Sequence, residues 1–235
     1  MTRMANAGVN GSEFESNPIV MPLAAFKTKW KNYQQHCKST VRHQSSAARN
    51  GTQKPMRLKS LCTEKLLLRQ VQWNDSGFIK DYLSDDERTK YLPLERAYSE
   101  TQAAAWFNGR MQHWEMHKFG SFIVIHKESC ARIGYCGIEF VRNTKFVDIR
   151  YGVLQNVWGQ GLAFEAALHV LRYGFDELRL STIYGAAVPD NSPSIAILKK
   201  LGMSPDRTFN SYGDVVSPFS ISKERFDRMF EQQMV

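Results

Sequence analysis

Read for its polar and apolar positions, the chain becomes regular only after about residue 60. In residues 64–71 (EKLLLRQV), Leu66 and Leu68 alternate against Leu67 and Arg69, the period of a half-buried strand. Asn74, Asp75 and Ser76 then supply capping groups for a helix over residues 77–83. Ser99, with Gln102 three positions on, forms a capping box that opens a long helix running to about His117. Residues 121–126 (SFIVIH), 132–141 and 145–154 predict three strands. The short polar connections at 127–129 and 142–144 imply that these strands form an antiparallel meander. Beyond Leu154 the pattern turns to helix, strand, helix, which implies a parallel pairing. A last strand near residues 215–221 and a short C-terminal helix complete an α/β (α+β) fold with a mixed sheet.

Composition agrees with this division. With 235 residues, 43% of them apolar, the chain can bury a real core and has room for one domain plus an extension. Residues 1–58 hold nine Lys/Arg and two acids, a net of +7 within a whole-chain charge of +8, so residues 59–235 carry +1. The first 58 residues are thus expected to form a basic, mobile extension, too poor in apolar positions to repay the entropy of ordering. Within it Phe26, Trp30 and Tyr33 recur at helical spacing between Lys27, Lys29 and Lys31. This reads either as a solvated, weakly helical extension or as a short basic helix making weak nucleic-acid contact. No apolar run approaches the roughly 20 residues of a membrane helix, so no membrane partner is expected. In the N-terminal segment the acids (Glu13, Glu15) precede the apolar stretch and the basic residues follow it, the reverse of a secretory signal. Cys37, Cys62, Cys130 and Cys136 form no C-x-x-C pair and suit reduced thiols of a cytoplasmic protein. His113 and His117 stand four apart on the long helix, but no third ligand is evident and no metal is expected; an exposed pair is the simpler reading.

The candidate chemistry lies in residues 151–203. Gly159 and Gly161 end a strand and open a helix whose apolar stripe is Ala163, Ala167, Val170, Leu171 and Gly174. Glycines there permit positive φ and close approach of a ligand, and the first amides of the helix point into the same space. The result is a concave anion site. No third glycine stands at dinucleotide spacing and no P-loop Lys follows, which disfavours dinucleotides and ATP. Further on, Asn191 caps a second helix with Pro193 in its first turn and Gly202 just past its end.

Six segments in order carry a resemblance: TEKLLLR from Thr63, IGYCGI from Ile133, DIRYGV from Asp148, WGQGLAFEA from Trp158, NSPS from Asn191 and KLGM from Lys200. Over about residues 62–228 the chain resembles the GNAT acetyltransferases, in the branch typified by the ribosomal-protein N-acetyltransferases RimJ and RimL. The family pattern Q/R-x-x-G-x-G/A falls on residues 158–163, with Trp158 in place of the usual Gln or Arg.

The resemblance implies a mostly antiparallel central sheet with helices on both faces, its strands splayed at a bulge where the cofactor enters. It implies acetyl transfer from acetyl-CoA to a primary amine (a protein N-terminus, a Lys or a small amine) by direct attack, in a monomer or homodimer. Val153, Leu154 and Gln155 would pair with the pantetheine arm. The amides of Gly159, Gln160, Gly161, Leu162 and Ala163 would hold the pyrophosphate. Asn191 would contact the arm and Ser194 would lie near the sulfur, while an N–H near Val153 would stabilise the oxyanion. Asp148 matches the family's strand acid and reads equally as a general base or as a salt-bridged structural residue; Glu139 is the second candidate. The position of the family's acidic Tyr is Leu198, which cannot donate a proton. Glu165 suits scaffold work in a first helical turn. Asp85, Asp86, Glu87 and Asp206 are candidates to line an acceptor cleft and attract a cationic amine. The missing Tyr leaves a second reading, a catalytically weak acetyl-CoA-binding regulatory module whose basic tail binds RNA or a partner.

Overall fold

A computed structural model describes residues 58–231; the basic segment and its aromatic-lysine repeat lie outside them, apart from Leu58. Eight strands form one sheet: β1 (Ser60–Cys62), β2 (Leu66–Gln70), β3 (Ser121–His126), β4 (Arg132–Phe140), β5 (Val147–Val153), β6 (Thr182–Ala187), β7 (Ser204–Pro205) and β8 (Ser217–Ser222). Their order across the sheet is β1-β2-β3-β4-β5-β6-β8-β7. The helices are α1 (Ser76–Leu83), the single turn α2 (Asp86–Thr89), α3 (Glu100–His117), α4 (Leu162–Asp176), α5 (Ser192–Lys200) and α6 (Lys223–Glu231). Every neighbouring pair of strands is antiparallel except β5 and β6.

The elements form where the pattern places them. In β2, Leu66 and Leu68 are buried while Leu67 and Arg69 are half-buried, the expected alternation. The capping box of α3 is present: Gln102 N–H donates to Ser99 Oγ, and Ser99 N–H to Gln102 Oε1. Helix α4 turns Ala166, Ala167, Val170 and Leu171 to the core and packs on β4 and β5. It covers one face of the sheet. On the other, Trp114 of α3 donates its indole N–H to the Ser121 carbonyl at 2.6 Å, and Tyr82 of α1 overlies Gly152 of β5.

Two local expectations change. Asp75 does not cap α1. It is fully buried, takes two bonds from the Arg69 guanidinium at 3.0 and 2.8 Å, accepts from Gln72 N–H, and has Arg132 Nε at 3.4 Å. A buried carboxylate needs such partners more than a helix end needs a cap. Nor does β5 carry a shift against β4: their ladder runs in register from Gly134–Val153 to Phe140–Val147. The sheet's register shift falls between β3 and β4, at Val124/Ile125.

That ladder depends on Gly134. A Cβ there would lie 2.1 Å from the Gly152 carbonyl oxygen and 2.8 Å from the Val153 Cα. Gly134→Ala should therefore destabilise the protein by about 1–3 kcal/mol, as overpacking does. In urea unfolding the midpoint should fall with an unchanged slope.

Candidate functional site

Strands β5 and β6 run parallel and pair in register at one place, Asp148 opposite Tyr184. Beyond it they part. Leu154 N–H donates to the Ile133 carbonyl at 2.7 Å, and this fixes the ladder's alternation. Asp148, Arg150, Gly152 and Leu154 turn their backbone groups to β4; Ile149, Tyr151 and Val153 turn theirs to the β6 side and into the opening. The expected edge of residues 153–155 is thus redrawn. Val153 faces the opening, but the Leu154 amide belongs to β4 and Gln155 begins a short 3-10 turn. Tyr151 supplies the second edge residue. The indole N–H of half-exposed Trp158 donates to the Val153 carbonyl at 2.8 Å, so Trp158 shapes the mouth of the opening.

At that mouth lies the glycine turn. Gly159 and Gly161 both have φ of +75°, and a Cβ on either would meet nothing within 4 Å. They are needed for their dihedral angles, and the space before them is open. Gly161 is the N-cap of α4, which receives no side-chain cap, and the helix's backbone ladder starts with Glu165 N–H to Gly161 O at 3.0 Å. The amides of Leu162 and Ala163 precede that first bond and belong to the orphan donors of a helix start. The Gln160 side chain folds back onto the Asn156 carbonyl at 3.2 Å, so the turn presents backbone rather than side chain. Glu165 does scaffold work, as expected: its carboxylate accepts from the Thr63 hydroxyl and from Lys65 N–H, tying the β1–β2 turn to α4.

Across the opening, Asn191 Oδ1 caps α5 by accepting from Ser194 N–H at 3.2 Å. The Tyr151 hydroxyl lies 3.0 Å from Ser194 Oγ and 3.1 Å from the Ser194 carbonyl. Burial pushes the Tyr151 phenol well above its ordinary range. Leu198 is buried against β6, where a Cβ on Gly185 would touch it. The hydroxyls on this side therefore come from Ser194 and from Tyr151 of the strand, not from the helix position where the resemblance places a tyrosine.

The other face of β5 carries the charges. Asp148 is 3% exposed, with Oδ1 3.0 Å from Arg150 Nε and Oδ2 accepting from the Tyr212 hydroxyl at 2.5 Å. Its cross-strand neighbour Glu139 is equally buried. Glu139 accepts from Ser121 Oγ at 2.7 Å and Arg150 Nη1 at 3.1 Å, with Arg110 Nε at 3.7 Å. The two carboxyls diverge. Burial raises Asp148, and Arg150 and Tyr212 offset only part of it. Burial pushes Glu139 up as well, but Arg110, Arg150 and the Ser121 hydroxyl outweigh it and hold Glu139 low.

The remaining candidates do other work. His113 is buried, not exposed: Phe140 N–H donates to its Nε2 at 2.9 Å, which leaves Nδ1 to carry the proton it gives the Phe119 carbonyl at 2.8 Å. With both nitrogens bound to backbone it is no metal ligand. Asp85 caps α2, Asp86 accepts from Ala97 N–H, Glu87 pairs with Lys90, and Asp206 holds Thr208. These acids fasten local turns. Tyr212, by contrast, carried no sequence signal: it stands 64 residues from Asp148 in an aperiodic loop.

Known proteins share this fold. The acetyltransferase (GNAT) domain family model matches residues 65–204. The uncharacterised N-acetyltransferase p20 of Bacillus licheniformis is 30% identical over 159 residues, which covers 66% of this chain and 88% of that one. The acetyltransferase of Agrobacterium tumefaciens str. C58 shares the fold with a TM-score of 0.65 at 20% identity, over 75% of this chain and 100% of its own. Spermidine N-acetyltransferase from Vibrio cholerae, solved in complex with CoA and spermine, aligns with a TM-score of 0.56 at 19% identity, over 69% of this chain and 98% of its own. With more than half of the chain matched, and with a splayed sheet beside a glycine-opened helix, the protein belongs to the GNAT family of N-acetyltransferases, whose acetyl donor is acetyl-CoA.

Proposed function

We propose that acetyl-CoA lies in the β5–β6 opening and that a primary amine attacks its thioester from the α1/α3 face. One observation carries this reading: the unpaired stretch of β5 leads straight to a helix start without a side-chain cap. The amides of residues 159–163 hold the pyrophosphate, with the dipole of α4 behind them. The pantetheine arm adds to the β5 edge at Val153 and Tyr151, and Asn191 borders the arm from α5. The thioester then lies toward the closed end of the opening, near Asp148.

The reaction follows from these positions. The amine nitrogen forms a bond to the carbonyl carbon, and the carbonyl oxygen takes negative charge near the Tyr151 N–H, because the expected Val153 N–H lies at the mouth, away from the thioester. As the intermediate collapses, the carbon–sulfur bond breaks and the thiolate leaves toward Ser194, whose hydroxyl is backed by Tyr151. The nitrogen must lose one proton. Asp148 is the better base of the two acids because burial raises its pKa, while Glu139 remains a fixed counter-charge to Arg110 and Arg150. Asp85, Asp86, Glu87 and Asp206 fasten local turns while keeping their charge, so they do not choose between kinds of amine. A peptide α-amine, with a pKa near 7.7–8.0, is more often neutral at pH 7 than a lysine near 10.4, which supports the α-amine as acceptor. The Ser194–Tyr151 pair supplies the hydroxyls missing at Leu198, which supports turnover over mere cofactor binding.

Gly161→Val tests the pyrophosphate assignment. It forces a β-branched residue to positive φ and fills the space before the amides. Calorimetric titration should show acetyl-CoA affinity lowered by at least about a hundredfold, the worth of two charge-assisted hydrogen bonds. Unchanged affinity would place the phosphates elsewhere.

The two acids should separate by pH and by stability. Asp148 serves as base only when ionised, so kcat should fall on the acid side of its raised pKa. The charged groups facing it are Arg150 and Glu139, with the Tyr212 phenol alongside. Glu139→Gln removes the like charge and should move that limb to lower pH; Asp148→Asn should abolish it. For stability the signs differ. Glu139, held low, contributes stability above its unfolded pKa that is lost as pH falls through its folded pKa. Asp148, held high, costs stability as pH rises past its unfolded pKa. At pH 7 thermal unfolding should therefore show a larger loss for Glu139→Gln than for Asp148→Asn.

A further inference from the structure

Asp148 cannot meet an amine directly. It is 3% exposed, Oδ1 is held by Arg150 Nε, and Oδ2 is covered by the Tyr212 hydroxyl. Tyr212 itself is 36% exposed and comes from the loop between β7 and β8, on the face from which the acceptor approaches. Its oxygen has two partners, Asp148 Oδ2 at 2.5 Å and Arg150 Nη2 at 3.1 Å. The phenol touches the buried carboxylate and also reaches the surface; Arg150 does both as well, but as a fixed cation it passes no proton.

Its position is firmly set. The Tyr212 ring meets Phe209 edge-on at 5.7 Å between centroids, and buried Phe209 packs on Tyr184 at 4.8 Å and Phe146 at 5.4 Å. Tyr184 is the residue opposite Asp148 at the closed end of the opening. The loop is therefore anchored to the vertex of the opening, and the phenol oxygen stands over it. Glu139 and Arg110 complete the charged groups around the cluster.

We propose that Tyr212 is a catalytic residue that relays the acceptor's proton to Asp148, a role that rests on Asp148 being the base. The attacking nitrogen gives a proton to the Tyr212 oxygen while that oxygen passes its own proton to Asp148 Oδ2. One N–H bond breaks, one O–H bond forms on the phenol, the original phenol O–H breaks and one O–H forms on the carboxyl. Tyr212 ends neutral and Asp148 ends as the neutral acid, which returns its proton to water by the same route after the product leaves. Arg150 Nη2 donates to the phenol oxygen, so it steadies that oxygen while protons move across it.

The experiment is a double-mutant cycle with Tyr212→Phe, Asp148→Asn and the pair. Acetyl-CoA is the donor; the acceptor is whichever turns over fastest among a peptide with a free α-amine, a lysine peptide with a blocked N-terminus, and spermidine. Tyr212→Phe keeps the ring and its stacking and removes only the oxygen. It should lower kcat about a hundredfold, the lower end of acid–base contributions, with acetyl-CoA affinity unchanged. Asp148→Asn should lose about as much, the pair should lose no more than either alone, and both single variants should lack the acid limb of kcat. A normal rate for Tyr212→Phe with a slow Asp148→Asn overturns the relay and leaves the base standing. Losses that multiply in the pair, or a Tyr212→Phe effect confined to KM with the acid limb intact, also overturn the relay and make Tyr212 a loop anchor. A normal rate for Asp148→Asn removes the base and the relay together, as would an absence of turnover with all three acceptors.

Discussion

Two parallel strands that pair in register only at Asp148 and Tyr184, and then diverge, set the conditions for the rest of the structure. A parallel pair normally continues, because each unpaired buried backbone group costs on the order of 1–3 kcal/mol. Here β5 satisfies β4 along its whole length, and past Ile149 its residues Tyr151 and Val153 turn toward the opening. The divergence is held open from both sides: Trp158 takes the Val153 carbonyl at the mouth, and the Phe146, Tyr184 and Phe209 rings lock the closed end. A cosubstrate that offers backbone-like amides can complete the edge, which is why the fold suits a pantetheine arm.

The pleat of β5 then divides the chemistry. Tyr151 lies on the α5 side beside Ser194, near where a thiolate departs. Asp148 and Arg150 lie on the opposite side with Glu139 and Tyr212, near where an amine arrives. One strand thus separates the nucleophile's proton from the leaving group. The buried ions stay compatible with folding because charges pair in the network, Arg110 and Arg150 facing Glu139 and Asp148. The same pairing drives the two carboxyls apart in acidity, so that neighbours of like chemistry take different roles.

Much of this was legible in the sequence because it is local. Period-two alternation marks β2, a Ser-x-x-Gln box marks α3, and the Gly159–Gly161 turn announces positive φ before a helix. Strand parity put Asp148, Arg150 and Gly152 on one face, and Asn191 does cap α5. What escaped depends on distant partners. Strands β1 and β7 are too short to show a period. Asp75 looks like a cap until Arg69 claims it, and His113 looks exposed until Phe119 and Phe140 use both its nitrogens. Tyr212 becomes meaningful only when the β7–β8 loop meets β5. Leu154 looks equivalent to Val153, and only the register with Ile133 shows that its amide faces the other way.

The central claim is that acetyl-CoA completes the β5 edge and rests on the start of α4. Residue-resolved amide hydrogen exchange by NMR, with and without saturating acetyl-CoA, tests it most directly. The account predicts that the Tyr151 and Val153 amides become protected together with those of Leu162 and Ala163, while Leu154, already bonded to Ile133, changes little. Tight acetyl-CoA binding that protects other amides and leaves Tyr151 and Val153 exchanging as before would contradict it.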